Sequence, residues 1–170
     1  MISSLAIKKI KLESLILISL IAVSIISPIA VHFAVLKGTE FLPIFFALSI
    51  GSFILSPIYL IALSILSPLL NYLIFQMPNV PILYFLIFEG IVYSLLISAV
   101  KHFFKNTNYI IILSILSFVA ARFSSILLLN IFNYDMWFNS LINSYKGIIV
   151  NSIYIALTYI IINKKGSKNF

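Results

Sequence analysis

Six apolar runs follow one another along this chain, at roughly residues 12–36, 41–56, 58–76, 82–100, 109–132 and 147–163. A helix needs about 20 predominantly apolar residues to cross the hydrocarbon core of a bilayer. Runs of this length, joined by short segments, predict an all-α integral membrane bundle of six transmembrane helices. The second run is the shortest, at about 24 Å by helical rise. Pro57 marks a tight turn between the second and third runs, because proline at the first helical position removes no needed hydrogen bond. Pro78 and Pro81 bracket Asn79 in the next turn.

Composition excludes a water-facing domain. Charged residues make up 9% of the chain, against about 25% in an ordinary globular protein. Mean hydropathy is +1.19. Residues 1–170 therefore form one membrane domain, with 1–11 as a cytoplasmic N-terminal segment and 164–170 as a cytoplasmic tail. Lys8, Lys9 and Lys11 ahead of an apolar run imitate a signal peptide. That run reaches Leu36, beyond the roughly 7–15 residues of a cleavable core, and reads as a retained first helix.

The net charge of +7 does not point to nucleic acid, because the basic residues sit between apolar runs rather than among exposed aromatics. They orient the chain instead. Lys8, Lys9, Lys11, Lys101, Lys105, Lys164, Lys165 and Lys168 fall on one side, and Lys37 and Lys146 on the other. Under the positive-inside rule both termini are cytoplasmic, in the plasma membrane, and six spans agree with that parity. Small residues recur at four-residue spacing in Ala47 and Gly51, in Ser117, Ala121 and Ser125, and in Ser152 and Ala156. Such stripes let helices pack closely.

The stretch PILYFLIFEGIVYSLLI carries Glu89 in its middle. Counting inward from Ile82 places Glu89 about 10 Å below the outer boundary. Arg122 lies about 15 Å below the outer end of the fifth run. A lone intramembrane charge is costly, so two opposite charges at similar depth suggest a pair or a shared ligand. Tyr93 shares a helix face with Glu89, four residues on. His32, Asn71, Tyr72, Gln76, Asn130 and Asn151 fall in the same outer half, and the following loop adds Asn133, Tyr134, Asp135, Trp137, Asn139 and Asn143. The inner half offers little beyond serines, which satisfy themselves on backbone carbonyls. The expectation is a polar cavity open to the outside, over a sealed apolar inner half. The plainer alternative is a structural Glu89–Arg122 ion pair that fixes helix register, with Trp137 and the tyrosines as interfacial anchors.

Other chemistry finds little footing. The chain has no cysteine, which excludes disulfides and thiolate sites. No His-Glu-x-x-His run exists, and the two histidines fall on opposite sides of the membrane. The five glycines form no phosphate loop. An aspartic intramembrane protease needs two acids in the membrane, and only Glu89 is read there. No cofactor and no catalytic residue is expected.

The segments ISPIAVHFAVLKGTEFLPIFF and LSPIYLIALSILSPLLNYLIFQMPNVP resemble the substrate-binding S components of energy-coupling-factor (ECF) transporters. The features that carry the resemblance are Pro28, His32, Gly38, Phe41, Leu42, Pro43, Pro57, Ser67, Pro68, Leu69, Leu70, Met77 and Pro78, in that order. Glu89 and Tyr93 match a Glu-x-x-x-Tyr in the fourth span, Arg122 an Arg in the fifth, and Gly147, Ile148 and Asn151 the start of the sixth. The chain departs from the pattern at Thr39, Phe45, Ser56, Leu60 and Ser64, where the family tends to have other residues. The resemblance implies outward capture of a vitamin or related micronutrient by Glu89, Arg122, Tyr93, Asn71, His32 and Asn151. It further implies docking on an ECF transmembrane coupling subunit through Ile18 and Ala22 in the first span, with two ATPase subunits hydrolysing ATP. The alternative is a structural membrane protein of similar size, such as the rod-shape protein MreD, with no small-molecule site. A third reading is a small intramembrane enzyme.

Overall fold

The computed structural model describes residues 4–33, 42–80, 82–104, 107–132 and 144–166. Six helices account for nearly all of them: α1 (Ser4–Phe33), α2 (Phe45–Ile54), α3 (Pro57–Phe75), α4 (Ile82–Phe103), α5 (Thr107–Phe132) and α6 (Tyr145–Gly166). All but α2 are long and apolar enough to span a membrane. The all-helical membrane architecture expected from the apolar runs is therefore present.

The second element differs from its expected 41–56 span. The helix α2 has ten residues, about 15 Å by rise and half the hydrocarbon thickness. Its start is set late by Leu42, which takes a positive φ of 50°, and by a turn in which Phe45 N–H donates to the Leu42 carbonyl. Its end is set by Pro57, which stands at the first turn of α3 after an extended Ser56. At the far end of α3, Gln76 adopts the left-handed conformation and its N–H returns to the Tyr72 carbonyl at 2.8 Å, closing the helix.

The helices form a ring in the order α1, α3, α4, α5, α6, α2, with α2 also reaching inward to α3 and α4. Cross-helix contacts give the directions. Ser56 and Asn71 of α3 and its preceding turn bond to Glu13 and Ser24 of α1, so α1 and α3 run parallel. Phe46 meets Tyr154 and Phe53 meets Tyr159, so α2 and α6 run parallel to each other. The start of α1, the turn between α2 and α3, and the ends of α4 and α6 consequently share one end of the bundle.

Packing is tightest around α2 and between α3 and α4. A Cβ on Gly51 would lie 3.1–3.3 Å from Leu63, Leu20 and Leu60. A Cβ on Gly90 would lie 2.9 Å from Ser64 Cβ, where Ser64 and Ser94 hydroxyls meet at 2.7 Å. The small residues Ala47, Gly51, Ser117, Ala121 and Ser125 are all buried, as their spacing predicts, while Ser152 and Ala156 of α6 are only half-buried. Phe118 ties three helices together, edge-on to Phe45 of α2 and Tyr93 of α4.

Candidate functional site

Glu89 on α4 and Arg122 on α5 come together in the bundle interior. Arg122 Nη1 donates to Glu89 Oε2 at 2.6 Å, with Glu89 fully buried and Arg122 9% exposed. Ser125, one turn along α5, donates to the same carboxylate oxygen at 3.1 Å and lies 2.8 Å from the Arg122 carbonyl. The depth count from sequence put these charges at one level, and the antiparallel α4–α5 contact brings them to hydrogen-bond distance. Ser125 stood in the sequence only as a small packing residue. Its spacing of three from Arg122, on the same helix face, was the available signal.

The pair leaves polar capacity unused. Glu89 Oε1 and Arg122 Nε are buried and have no hydrogen-bond partner, while the buried Tyr93 hydroxyl is turned toward Ser52 of α2. Tyr93 sits one turn from Glu89 and is fully buried, its ring edge-on to Phe118. Buried polar atoms are nearly always paired with protein or water. Two such atoms, one on α4 and one on the facing turn of α5, leave the pair an unused acceptor and an unused donor.

Two other expected ligand residues, Asn71 and Asn151, make hydrogen bonds within and between helices. Asn71 Nδ2 donates to the carbonyls of Ser24 on α1 (3.0 Å) and Ser67 on its own helix (2.9 Å). Pro28 lacks the N–H that would serve the Ser24 carbonyl, and Asn71 supplies the missing donor from across the interface. Its Oδ1 is buried without a partner, as is the nearby Ser67 hydroxyl. Asn151 donates to Gly147 O at 2.9 Å and accepts from Ser49 of α2 at 3.5 Å. The side chains of His32 and Asn130 and the loop from Asn133 to Asn143 lie outside the described residues. Ile18 (68% exposed) and Ala22 both face outward on α1.

The opposite end of the bundle carries polar groups beyond the serines expected from sequence. Glu13 lies within the apolar part of α1 and is 7% exposed. It accepts a 2.6 Å hydrogen bond from Ser56 and stands 3.9 Å from Lys9. Lys101 extends into the same region and donates to the carbonyls of Ser52 (2.9 Å) and Leu55 (3.3 Å). These carbonyls end α2, where a cation is favoured by the helix dipole. Sequence reasoning counted Glu89 as the sole membrane acid and Lys101 as a topology signal. Glu13 joins the polar groups because α1 and α3 run parallel, which no local pattern announces. Among the described residues, no three His, Cys, Asp or Glu side chains gather into a metal-binding group.

Compared with protein-family models, with curated proteins and with solved structures, the chain matches none.

Proposed function

We propose that this chain is a membrane-embedded solute-capture subunit of the ECF S-component type, which binds a vitamin-like micronutrient and passes it to an ATP-driven coupling module. One observation carries the reading: the buried Glu89–Arg122 pair retains an unfilled acceptor and an unfilled donor, Glu89 Oε1 and Arg122 Nε. A purely structural pair gains most when its remaining valences are satisfied. Open ones on neighbouring helices suit a polar, partly aromatic solute. In this reading both termini are cytoplasmic, following the lysine distribution. The exposed Ile18 and Ala22 on α1 then meet the transmembrane coupling subunit, and the two ATPase subunits hydrolyse ATP.

A second reading, a structural scaffold of the MreD type, draws on a different observation. Asn71 and Asn151 join helices to one another, so much of the buried polarity serves assembly.

Native mass spectrometry of the protein purified from its membrane separates the two. Solute capture expects a retained small molecule, with affinity reduced more than about tenfold, or about 1.4 kcal/mol, by Glu89→Ala or Arg122→Ala while helicity persists. A scaffold expects no retained molecule, and a loss of stability from the same variants. Normal binding by both variants would remove the pair from the site.

A further inference from the structure

Pro68 stands in the interior of α3. It has no N–H for the Ser64 carbonyl four residues back, and its ring pushes that carbonyl aside. The matching break in α1, made by Pro28 at Ser24, is closed by the Asn71 amide. Among the described residues no side chain closes the break in α3, since the side-chain bonds of Ser64 all run through its own hydroxyl. Facing lipid, a freed carbonyl finds no water. Inside a bundle, a trapped water can complete the helix.

Two more polar atoms belong to the same face of α3. The Ser67 hydroxyl and Asn71 Oδ1 are buried and unpartnered, on residues that are 0% and 2% exposed. Residues four apart are neighbours on a helix, and here the side chain folds back along it. Asn71 Nδ2 lies 2.9 Å from the Ser67 carbonyl, and Oδ1 hangs on the same amide carbon. Turning the amide over brings no relief, because Oδ1 would then face the carbonyls of Ser24 and Ser67. Ser67 also departs from the habit of its neighbours. Ser64, Ser94 and Ser117 return their hydroxyls to the preceding turn, and Ser67 does not.

The three groups are one hydroxyl donor and two acceptors, Asn71 Oδ1 and the Ser64 carbonyl. Their complement is a single atom that accepts once and donates twice, as the oxygen of water does. Buried waters typically make about three hydrogen bonds to such groups. A metal cation suits the place less well, because uncharged oxygens alone do not offset a buried charge.

We propose that α3 holds a resident water molecule at the Pro68 break. The water accepts from the Ser67 hydroxyl and donates to Asn71 Oδ1 and to the Ser64 carbonyl. It does for α3 what the Asn71 amide does for α1, so both proline breaks close through the two ends of one side chain. The site does not depend on what the Glu89–Arg122 pair binds.

An experimental structure of the full-length protein, at a resolution that shows ordered water, tests the placement. One isolated peak is expected within about 2.5–3.0 Å of both Asn71 Oδ1 and the Ser67 hydroxyl. Absence of that peak would overturn the proposal. So would density that continues into a larger molecule, since the hydroxyl or amino group of a captured solute has the same bonding pattern. Thermal unfolding supplies an independent sign, with Ser117→Ala as the baseline because that hydroxyl bonds only within its own helix. If water joins the three groups, Ser67→Ala removes one of its partners and should lower Tm below that of Ser117→Ala. At a dry site the same change removes a buried hydroxyl that had no partner, which relieves a cost. A Tm for Ser67→Ala equal to or above that of Ser117→Ala would therefore sink the proposal.

Discussion

Asn71 on α3 donates its side-chain amide to the Ser24 carbonyl of α1 at 3.0 Å, the carbonyl that Pro28 leaves without a helical donor. Two residues 43 positions apart thus share one backbone repair. In lipid no water can serve a freed carbonyl, so a proline inside a span persists where a neighbouring helix supplies the bond.

Asn71→Leu should therefore destabilise the bundle by about 1–3 kcal/mol, the cost of a buried polar group left unpaired. In a Pro28→Ala background, where α1 can complete its own hydrogen bond, the same substitution should cost distinctly less. Thermal unfolding of the four proteins in one detergent measures the coupling. Equal losses in both backgrounds would mean that the amide does not act through the Ser24 carbonyl.

Breaking the interior ion pair from one side should be worse than removing it entirely. Glu89→Leu leaves Arg122 buried and unpaired, at a cost of about 3–5 kcal/mol. Glu89→Leu combined with Arg122→Met should recover much of that loss. Chemical unfolding of the single and double variants checks the order, and a double variant no more stable than the single would contradict it.

Gly90 is required by the approach of α3 to α4. Gly90→Ala sets a methyl carbon 2.9 Å from Ser64 Cβ, and overpacking of this kind costs about 1–3 kcal/mol. Ser64→Gly in the same protein removes the opposing atom and should restore part of the stability. Melting temperatures of the single and paired variants decide the matter.

At the lysine-bearing end, Lys101→Met removes the cation from the end of α2 and from the neighbourhood of Glu13. A charge at a helix C-terminus contributes about 0.3–1 kcal/mol, and up to about 2 when partly buried. Lys101→Met should lower stability by an amount in that range and Lys101→Arg by less. Indistinguishable thermal unfolding of Lys101→Met and the parent protein would remove Lys101 from this role.

Much of this architecture can be read without coordinates, for a physical reason. Lipid demands continuous apolar helices, so the spans containing Glu89 and Arg122 are visible as runs, and rise per residue converts their positions to depth. Depth is one coordinate of three. That Glu89 faces Arg122 also needs α4 and α5 to be ring neighbours, which their short connection favours. Glu13 and Ser56 meet through the parallel packing of α1 on α3, which skips α2 and leaves no local trace. Asn71 looked like a ligand group because an amide in an apolar run needs a partner. Its Nδ2 meets a proline's vacated carbonyl on another helix, which no local pattern announces, and its Oδ1 stays open. The extent of α2 depended on the backbone at Leu42, where the hydropathy of 41–56 shows no break.

The brevity of α2 bears on how the protein is made. A ten-residue segment is too short to be held by the membrane on its own, so it gains its place from α1 and α6, its neighbours in the ring, with α3 and α4 behind it. Because α6 comes last of the six helices, the short one is flanked on both sides only once that helix has joined the bundle.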